Sequence, residues 1–339
     1  MSTPELIQFH IGHGKTGSSY LQAALAAGRS VLDAHGIAYP MEPKVEARAL
    51  AGQITSGNLR SAESMTETMA RYPGYDCKPR LFFSNETLHL LLTSRARGYG
   101  PELRKLFPTA RMEFICYIRD PLDHAVSAYQ QAVKRGGYVE DCAHFLASYD
   151  RPRRLFQLNA AIKQLDGVLT FVNYSRHRDN LVNTLENWLG LPAGSLPKPP
   201  RAQINRSMTR AELALQRALN AHMGQQASRL IADPLCEGLP DLKSETPYVP
   251  RADLEAFIAR MTEMLSERRL RKMIPESEWL QIGTIDDYAE RFTQVGDADV
   301  HQLTTAQLSV LAEAITKAVP KKENAQGRKR RRQMGRPVG

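Results

Sequence analysis

Short apolar runs alternate with helix-like patterns through the first half of this 339-residue chain. In the helix-like stretches apolar residues recur every three or four positions, and one such helix is expected from about Thr16 to Gly36. The apolar runs predict strands at 7–11, 37–40, 80–86, 111–120 and 168–174. Because strands that alternate with helices form βαβ units, we expect an α/β fold with a central parallel β-sheet of about five strands flanked by helices.

The pattern changes near residue 205, where the strand signals stop. Apolar residues then recur only at helical spacing, which predicts helices near 208–219, 254–265 and 308–315. No linker-like composition separates this helical half from the sheet. We therefore expect one domain over residues 1–320, with a sheet core at 6–190, a helical part at 205–320 and a separate tail at 321–339.

The positive charge of the chain is concentrated in that tail. The whole chain has a formal net charge of +9, and residues 321–339 contain eight Lys or Arg and one Glu, a net +7 that leaves +2 for residues 1–320. A block of like charge without apolar periodicity predicts a solvated, disordered tail. Electrostatic attachment of the tail to a polyanion or to an anionic membrane surface is the alternative. A protein that binds nucleic acid through this tail is an alternative function of the same kind.

The spacing of the cysteines and the length of the apolar runs indicate where in the cell the protein is expected. The four cysteines are scattered and show no spacing typical of a metal site, which favours reduced thiols and a cytoplasmic location: Cys77, Cys116, Cys142 and Cys236. The first residues do not resemble a signal peptide. No apolar run approaches the roughly 18 residues of a membrane span, so no transmembrane segment is expected.

Polar residues follow three of the predicted strands at their carboxyl ends. They are the segments Gly12–Ser19, Ser84–Glu86 and Arg119–Asp120. Ligands of parallel α/β sheets bind at this edge of the sheet. We therefore expect these three polar segments to meet at one site.

The segment after the first strand has the chemistry of an anion-binding loop. Glycines at 12, 14 and 17 allow a tight turn whose N–H groups point inward, and the following helix adds the positive end of its dipole. Lys15 adds a full positive charge. Hydroxyl donors come from Thr16, Ser18 and Ser19. Together these groups predict a site for a phosphate-like anion.

The loop departs from the Walker A pattern of P-loop ATPases. That pattern requires a glycine five residues before the Gly-Lys pair, and this position is Phe9. A nucleotide or sugar kinase that uses ATP and Mg²⁺ stays open as an alternative, with Asp120 as its one candidate for the metal-binding aspartate.

Residues 12–22 resemble the 5′-phosphosulfate loop of sulfotransferases that use 3′-phosphoadenylyl sulfate (PAPS), in the bacterial carbohydrate-type form Gly-x-x-Lys-Thr-Gly-[ST]-[ST]-x-Leu-Gln. The stretch Arg119-Asp120-Pro121 with Ser127 resembles the 3′-phosphate motif of the same family. An ion pair between Arg119 and a carboxylate is the alternative. Asn205-Arg206-Ser207 resembles, more loosely, a family segment that closes over the nucleotide. The resemblance covers roughly residues 6–225.

The resemblance implies a P-loop NTPase-like fold and transfer of a sulfuryl group from PAPS to a hydroxyl or amine, with a carbohydrate as the favoured acceptor and no metal. Lys15 would stabilise the leaving oxygen. The nucleotide contacts implied are Gly12, Gly14, Lys15, Thr16, Gly17, Ser18, Ser19, Arg119, Ser127, Asn205 and Ser207.

The acceptor needs a base, and Glu86 resembles the glutamate proposed for this role in carbohydrate sulfotransferases. A cap or dipole partner for the next helix is an equally open role for Glu86. His13, within the loop, is the next candidate base or a substrate contact, whereas His10 is expected to pack within its strand.

Overall fold

The computed structural model describes residues 4–318, except 54, 56, 60–63, 74, 76–77, 95–97, 200–205 and 294–300. The predictions made for Asn205 and for the tail at 321–339 lie outside the described residues. In the described part of the chain, no helix is both long and apolar enough to cross a membrane.

The predicted sheet is confirmed in number, order of appearance and direction of its strands. The described residues form five strands: β1 (Leu6–Gly12), β2 (Ile37–Ala38), β3 (Arg80–Asn85), β4 (Arg111–Ile118) and β5 (Val168–Asn173). Their spatial order is β2-β3-β1-β4-β5, and every neighbouring pair is parallel. The first strand therefore lies in the middle of the sheet, and its carboxyl end opens between those of β3 and β4.

Helices connect the strands and account for most of the other regular structure in the described chain. Those of the first half are α1 (Ser18–Ala27), α2 (Arg29–Ala34), α3 (Pro43–Leu50), α4 (Met65–Arg71), α5 (Leu88–Thr93), α6 (Tyr99–Leu106), α7 (Pro121–Gly136), α8 (Cys142–Ala147), α9 (Arg151–Lys163), α10 (Tyr174–His177) and α11 (Leu181–Leu189). Those of the second half are α12 (Arg210–Met223), α13 (Ala232–Gly238), α14 (Arg251–Ser266), α15 (Arg268–Met273), α16 (Ile285–Thr293) and α17 (Thr305–Ala318).

Both faces of the sheet are covered, as expected for parallel strands. On one face Phe9 of β1 stacks between Phe83 and Phe114, with ring centroids 5.7 and 4.9 Å apart. On the other face Phe82 and Tyr117 belong to the apolar cluster formed with α1 and α11. Successive side chains of β3 and β4 therefore point to opposite faces of the sheet and pack in two separate apolar clusters.

The helix expected from Thr16 to Gly36 differs from the observed structure. It begins two residues later, at Ser18, and Gly28 divides it into α1 and α2. Gly28 lacks the Cβ that would lie 2.5 Å from a methyl carbon of Leu196, so the chain passes close to the 190s at this break. The later start leaves residues 13–17 free to form a loop.

The helical second half packs against α7. One buried apolar cluster contains Leu122 and Val133 of α7 together with Leu213 and Phe257. Asn220 of α12 donates hydrogen bonds to the carbonyl oxygens of Val133 and Tyr138, 2.8 and 3.0 Å away. The helix that follows Arg119 is therefore held between the sheet and the helical half.

Candidate functional site

The loop between β1 and α1 has an unusual backbone. Gly14, Lys15 and Gly17 all have positive φ angles, of 75°, 56° and 82°. This conformation is uncommon for a residue with a Cβ atom such as Lys15, and backbone strain of this kind is concentrated at functional sites. Gly17 is the N-cap of α1, so the unpaired N–H groups of the first turn of α1 face the loop.

Two glycines of the loop are required by close packing. A Cβ atom at Gly12 would lie 2.5 Å from Ser18 Oγ and 2.9 Å from the Cβ of Glu86. A Cβ atom at Gly17 would lie 2.5 Å from a methyl carbon of Leu181. The absence of these atoms brings the end of β3 against the loop, so Glu86 lies beside the predicted anion site.

Two hydroxyl groups of the loop lack a protein partner. Thr16 Oγ1 and Ser18 Oγ are both buried, and neither makes a hydrogen bond within the described part of the chain. Buried polar atoms are nearly always satisfied, so two unpartnered hydroxyls close together favour this loop as a binding site for a ligand that accepts hydrogen bonds. Ser19, the third predicted hydroxyl donor, is half-buried at the start of α1.

Lys15 lies in a cationic environment. Its pKa is lowered to about 8, first by burial and then by the positive charge of Lys134, while the negative charge of Glu86 opposes the change. Its Nζ donates a hydrogen bond to Gln131 Oε1 at 3.4 Å. A buried ammonium surrounded by other cations favours a bound anion, because an anion relieves both the repulsion and the lost hydration.

Arg119 contacts the loop directly. Its guanidinium donates a hydrogen bond to the carbonyl oxygen of Lys15 at 3.1 Å and lies over the Tyr174 ring, 5.3 Å from the centroid. Burial lowers the pKa of Arg119. Among the ion pairs found in the described residues, none involves Arg119, which disfavours the ion-pair interpretation.

Asp120 has a different set of contacts. Its Oδ1 accepts hydrogen bonds from Asn173 Nδ2 and from the N–H of Gln281, both at 3.0 Å. Asp120 therefore ties β5 and the segment before α16 to the sheet edge. A structural role of this kind does not favour Asp120 as the metal-binding aspartate of a kinase. The described residues contain no group of three or more His, Cys, Asp or Glu placed to hold a metal ion.

Ser127 lies on a face of α7 that the sequence analysis described only in part. Ser127, Gln131 and Lys134 are separated by four and three residues, so they share one side of the helix. Gln131 contacts Lys15, and Lys134 Nζ donates to the carbonyl oxygen of Arg206 at 3.3 Å. Their helical spacing from Ser127 could have indicated from the sequence that Gln131 and Lys134 lie beside the site.

The segment around Ser207 runs along the same helix. The N–H of Met208 donates to Gln130 Oε1 at 2.9 Å, and the Arg206 side chain forms a buried ion pair with Glu212 at 2.8 Å. Ser207 is half-buried between these anchors. Within the described residues Ser207 makes no hydrogen bond to residues 12–19, so its assignment to the nucleotide site stays a prediction.

Glu86 does not cap the following helix. The N–H of Thr87 donates instead to Asn85 Oδ1 at 2.6 Å, and α5 begins at Leu88. In the described part of the chain the Glu86 carboxylate makes no hydrogen bond to the α5 backbone. Burial raises the pKa of Glu86, and the nearby charge of Lys15 lowers it.

The His13 ring contacts two other histidines, His89 and His124, to which the sequence analysis assigned no role. The His13 ring stacks on His124 at 4.9 Å between centroids and meets His89 edge-on at 6.1 Å. Burial lowers the pKa of all three, to about 3 for His124 and about 4 for His89. His10 is fully buried in β1, with Nδ1 2.8 Å from Ser84 Oγ.

Comparisons with known proteins show a distant likeness of the fold. No protein-family model and no curated protein matches the chain. Among solved structures, the chain is similar to a sulfotransferase from Alicyclobacillus acidocaldarius, with 17% sequence identity and a TM-score of 0.37. The match covers 67% of this chain and 96% of that one. At this distance the likeness concerns the arrangement of strands and helices and assigns no residue of the site.

Proposed function

We propose that this protein transfers the sulfuryl group of PAPS to a hydroxyl or amine of an acceptor. The observation that carries this proposal is the pair of orphaned hydroxyls, Thr16 Oγ1 and Ser18 Oγ, in a loop that also contains the buried ammonium of Lys15. A phosphosulfate group offers the acceptor oxygens that these donors lack.

A second group of donors supports a nucleotide with two separate anionic groups. Arg119 follows β4, and Ser127 follows on the face of α7 that includes Gln131. A guanidinium and a hydroxyl are good donors to phosphate, and the contact of Arg119 with Lys15 joins this group to the loop. In this proposal Arg119 and Ser127 bind the 3′-phosphate, and residues 12–19 bind the 5′-phosphosulfate.

When bound, PAPS supplies an activated sulfuryl group whose transfer builds negative charge on the leaving 5′-phosphate oxygen. Lys15 and the N–H groups at the start of α1 would stabilise that oxygen. These groups are held in place before the reaction, by the hydrogen bond of Lys15 to Gln131 and by the cap at Gly17, so little reorganisation is needed.

Glu86 is the proposed acceptor of the substrate proton. It lies against Gly12, close enough to Lys15 for the two charges to interact, and it is not used as a helix cap. A raised pKa makes a carboxylate a stronger base. His13 is the second candidate for this role.

The proposal includes a carbohydrate as the acceptor and the cytoplasm as the location. The motif of residues 12–22 favours a carbohydrate acceptor through its resemblance to carbohydrate-type enzymes. The scattered cysteines favour the cytoplasm, and the basic tail leaves weak contact with an anionic surface open.

Calorimetric titration of the purified protein tests the proposal. We expect adenosine 3′,5′-bisphosphate to bind tightly with or without Mg²⁺, and ATP to bind more weakly under both conditions. Tight binding of ATP that requires Mg²⁺, with no binding of the bisphosphate, would instead support a kinase. A protein that binds the bisphosphate is then assayed for release of the bisphosphate from PAPS in the presence of candidate acceptors.

A further inference from the structure

A cavity of about 270 Å³ is lined in part by His13, the residue that follows Gly12 in the anion loop. Its walls come from α5, from Asp150 and from the first two turns of α9. The volume is slightly below the range of about 300–1,000 Å³ that is typical of small-molecule sites. The cavity is therefore large enough for a molecule of the size of one sugar ring, and it shares His13 with the proposed sulfuryl site.

The first turn of α9 is unusually basic for a helix N-terminus. It contains Arg151, Arg153 and Arg154, and no acidic residue. The positive end of the helix dipole disfavours cations at this position. Two of these charges are paired with carboxylates. Arg153 Nη2 lies 3.3 Å from Glu267 Oε1, and Arg154 Nε lies 3.0 Å from Asp150 Oδ1.

The positive charge of Arg151, next to the cavity, is not neutralised by an ion pair among the described residues. Its charge and that of Arg154 both lower the pKa of His13 and of His89. Asp150 binds the Nε of Arg154, and the two Nη groups of that guanidinium make no hydrogen bond within the described residues, so they can bind a planar anion. This end of the cavity favours a ligand with negative charge.

The cavity lining also includes two histidines, His13 and His89, whose Nε2 atoms have no hydrogen-bond partner among the described residues. Both atoms are buried, and the two residues are only 6% and 9% exposed. Both rings are neutral at pH 7, since burial lowers both pKa values. A neutral imidazole has one protonated nitrogen that donates a hydrogen bond and one unprotonated nitrogen that accepts one, for example from a hydroxyl group.

We propose that this cavity binds the sulfuryl acceptor, and that the acceptor is a small hydroxyl compound with a carboxylate or phosphate group. Arg154, with the charge of Arg151 beside it, binds the anionic group, and His13 accepts a hydrogen bond from the hydroxyl. Leu155 and Leu158 contact the carbon skeleton between them. The inference rests on the proposed function and narrows its carbohydrate acceptor to an acidic one.

The test uses one sugar ring with and without a carboxylate. The full-length protein is first saturated with adenosine 3′,5′-bisphosphate, which fills the loop, and is then titrated with D-glucuronate or with D-glucose. We expect glucuronate to bind at least tenfold more tightly than glucose. Arg154→Gln should weaken glucuronate about ten- to a hundredfold, the usual loss for a hydrogen bond to a charged group, and leave glucose unchanged.

Arg153→Gln is the matched control, because it removes the same charge from the same turn but lies outside the cavity. It should leave glucuronate binding unchanged. Bisphosphate affinity reports that each variant is folded. Failure of the bisphosphate to bind would reject the proposed function. Normal bisphosphate binding with no preference for glucuronate over glucose, or equal losses in Arg153→Gln and Arg154→Gln, would reject the acidic acceptor alone.

Discussion

Tyr149 donates a hydrogen bond from its hydroxyl to Nδ1 of His124, 2.8 Å away. The direction follows from the other side of the ring, where Nε2 lies 3.1 Å from the carbonyl oxygens of His13 and Gly14. Carbonyl oxygens only accept, so Nε2 has the proton, and in a neutral ring Nδ1 is then the acceptor. Burial keeps the ring neutral by lowering the pKa of His124 to about 3.

This chain of contacts orients the anion loop. In a trans peptide the C=O and the following N–H point in opposite directions. With the carbonyls of His13 and Gly14 held by His124, the N–H groups of Gly14 and Lys15 face away from it. Tyr149, which is distant from the loop in sequence, thus helps to place the donors of the proposed phosphosulfate site.

Tyr149→Phe should therefore lower both stability and anion affinity. The substitution leaves His124 Nδ1 buried without a partner, at a cost of about 1–3 kcal/mol in the free energy of unfolding. Thermal denaturation and titration with adenosine 3′,5′-bisphosphate measure the two effects. Tyr248→Phe, at a residue that is 40% exposed, is the control. A lower melting temperature with unchanged affinity would limit Tyr149 to a structural role.

Nucleotide binding should depend on pH through Lys15. Its pKa of about 8 lies below the ordinary lysine value, so Lys15 is charged at pH 7 and loses its proton as the pH rises above 8. The dissociation constant of the bisphosphate should increase between pH 8 and 10, by at most tenfold per pH unit for one proton. In Lys15→Ala the affinity should be lower and this pH dependence absent. The same slope in the variant would assign the titration to another group, such as Lys134.

Lys15→Ala should also reduce turnover. Removal of one preorganised donor at a developing negative charge typically lowers kcat about 10²–10³-fold. Steady-state assays of sulfuryl transfer at saturating PAPS measure this loss. Lys163→Ala, at the end of α9, is a control that removes a lysine far along the chain from the loop. Near-normal kcat in Lys15→Ala would reject the assignment of Lys15.

Arg119 and Ser127 should distinguish nucleotides by their 3′-phosphate. Arg119→Gln and Ser127→Ala are expected to weaken adenosine 3′,5′-bisphosphate by about 1.5–3 kcal/mol each, the usual loss for a hydrogen bond to a charged group. Adenosine 5′-phosphate should bind these variants almost as well as the unmodified protein. Equal losses for the two nucleotides would mean that neither residue contacts the 3′-phosphate.

Glu86→Gln should separate chemistry from binding. Glutamine retains the size of the side chain but is not basic, so transfer should fall roughly 10²–10⁴-fold while bisphosphate affinity stays close to normal. Asn85→Ala is the control. Because Asn85 accepts a hydrogen bond from the N–H of Thr87, its loss should lower the melting temperature more than it lowers turnover. If Glu86→Gln turns over normally, His13→Gln becomes the next variant to assay.

Much of the fold was predictable because it depends on local pattern. The apolar runs that became β1 to β5 were each visible in the sequence, and parallel pairing follows from the helices between them. The break at Gly28 was not predictable, because helical periodicity continues through it to Leu32. At the break the chain lies close to Leu196, where a Cβ at position 28 would clash, and no local pattern records this approach.

The sequence alone also determined which chemical groups meet at the sheet edge, since strand ends of a parallel sheet share one side. Gly12, Lys15, Glu86 and Arg119 were found in this way. What only the tertiary structure decided is how these groups are held and what lies beside them: the carbonyl contacts of His124, the approach of Gln131 to Lys15, and the cavity between His13 and Arg154. Each of these contacts joins residues more than a hundred positions apart, and such distances are set by the packing of helices on the sheet rather than by periodicity along the chain.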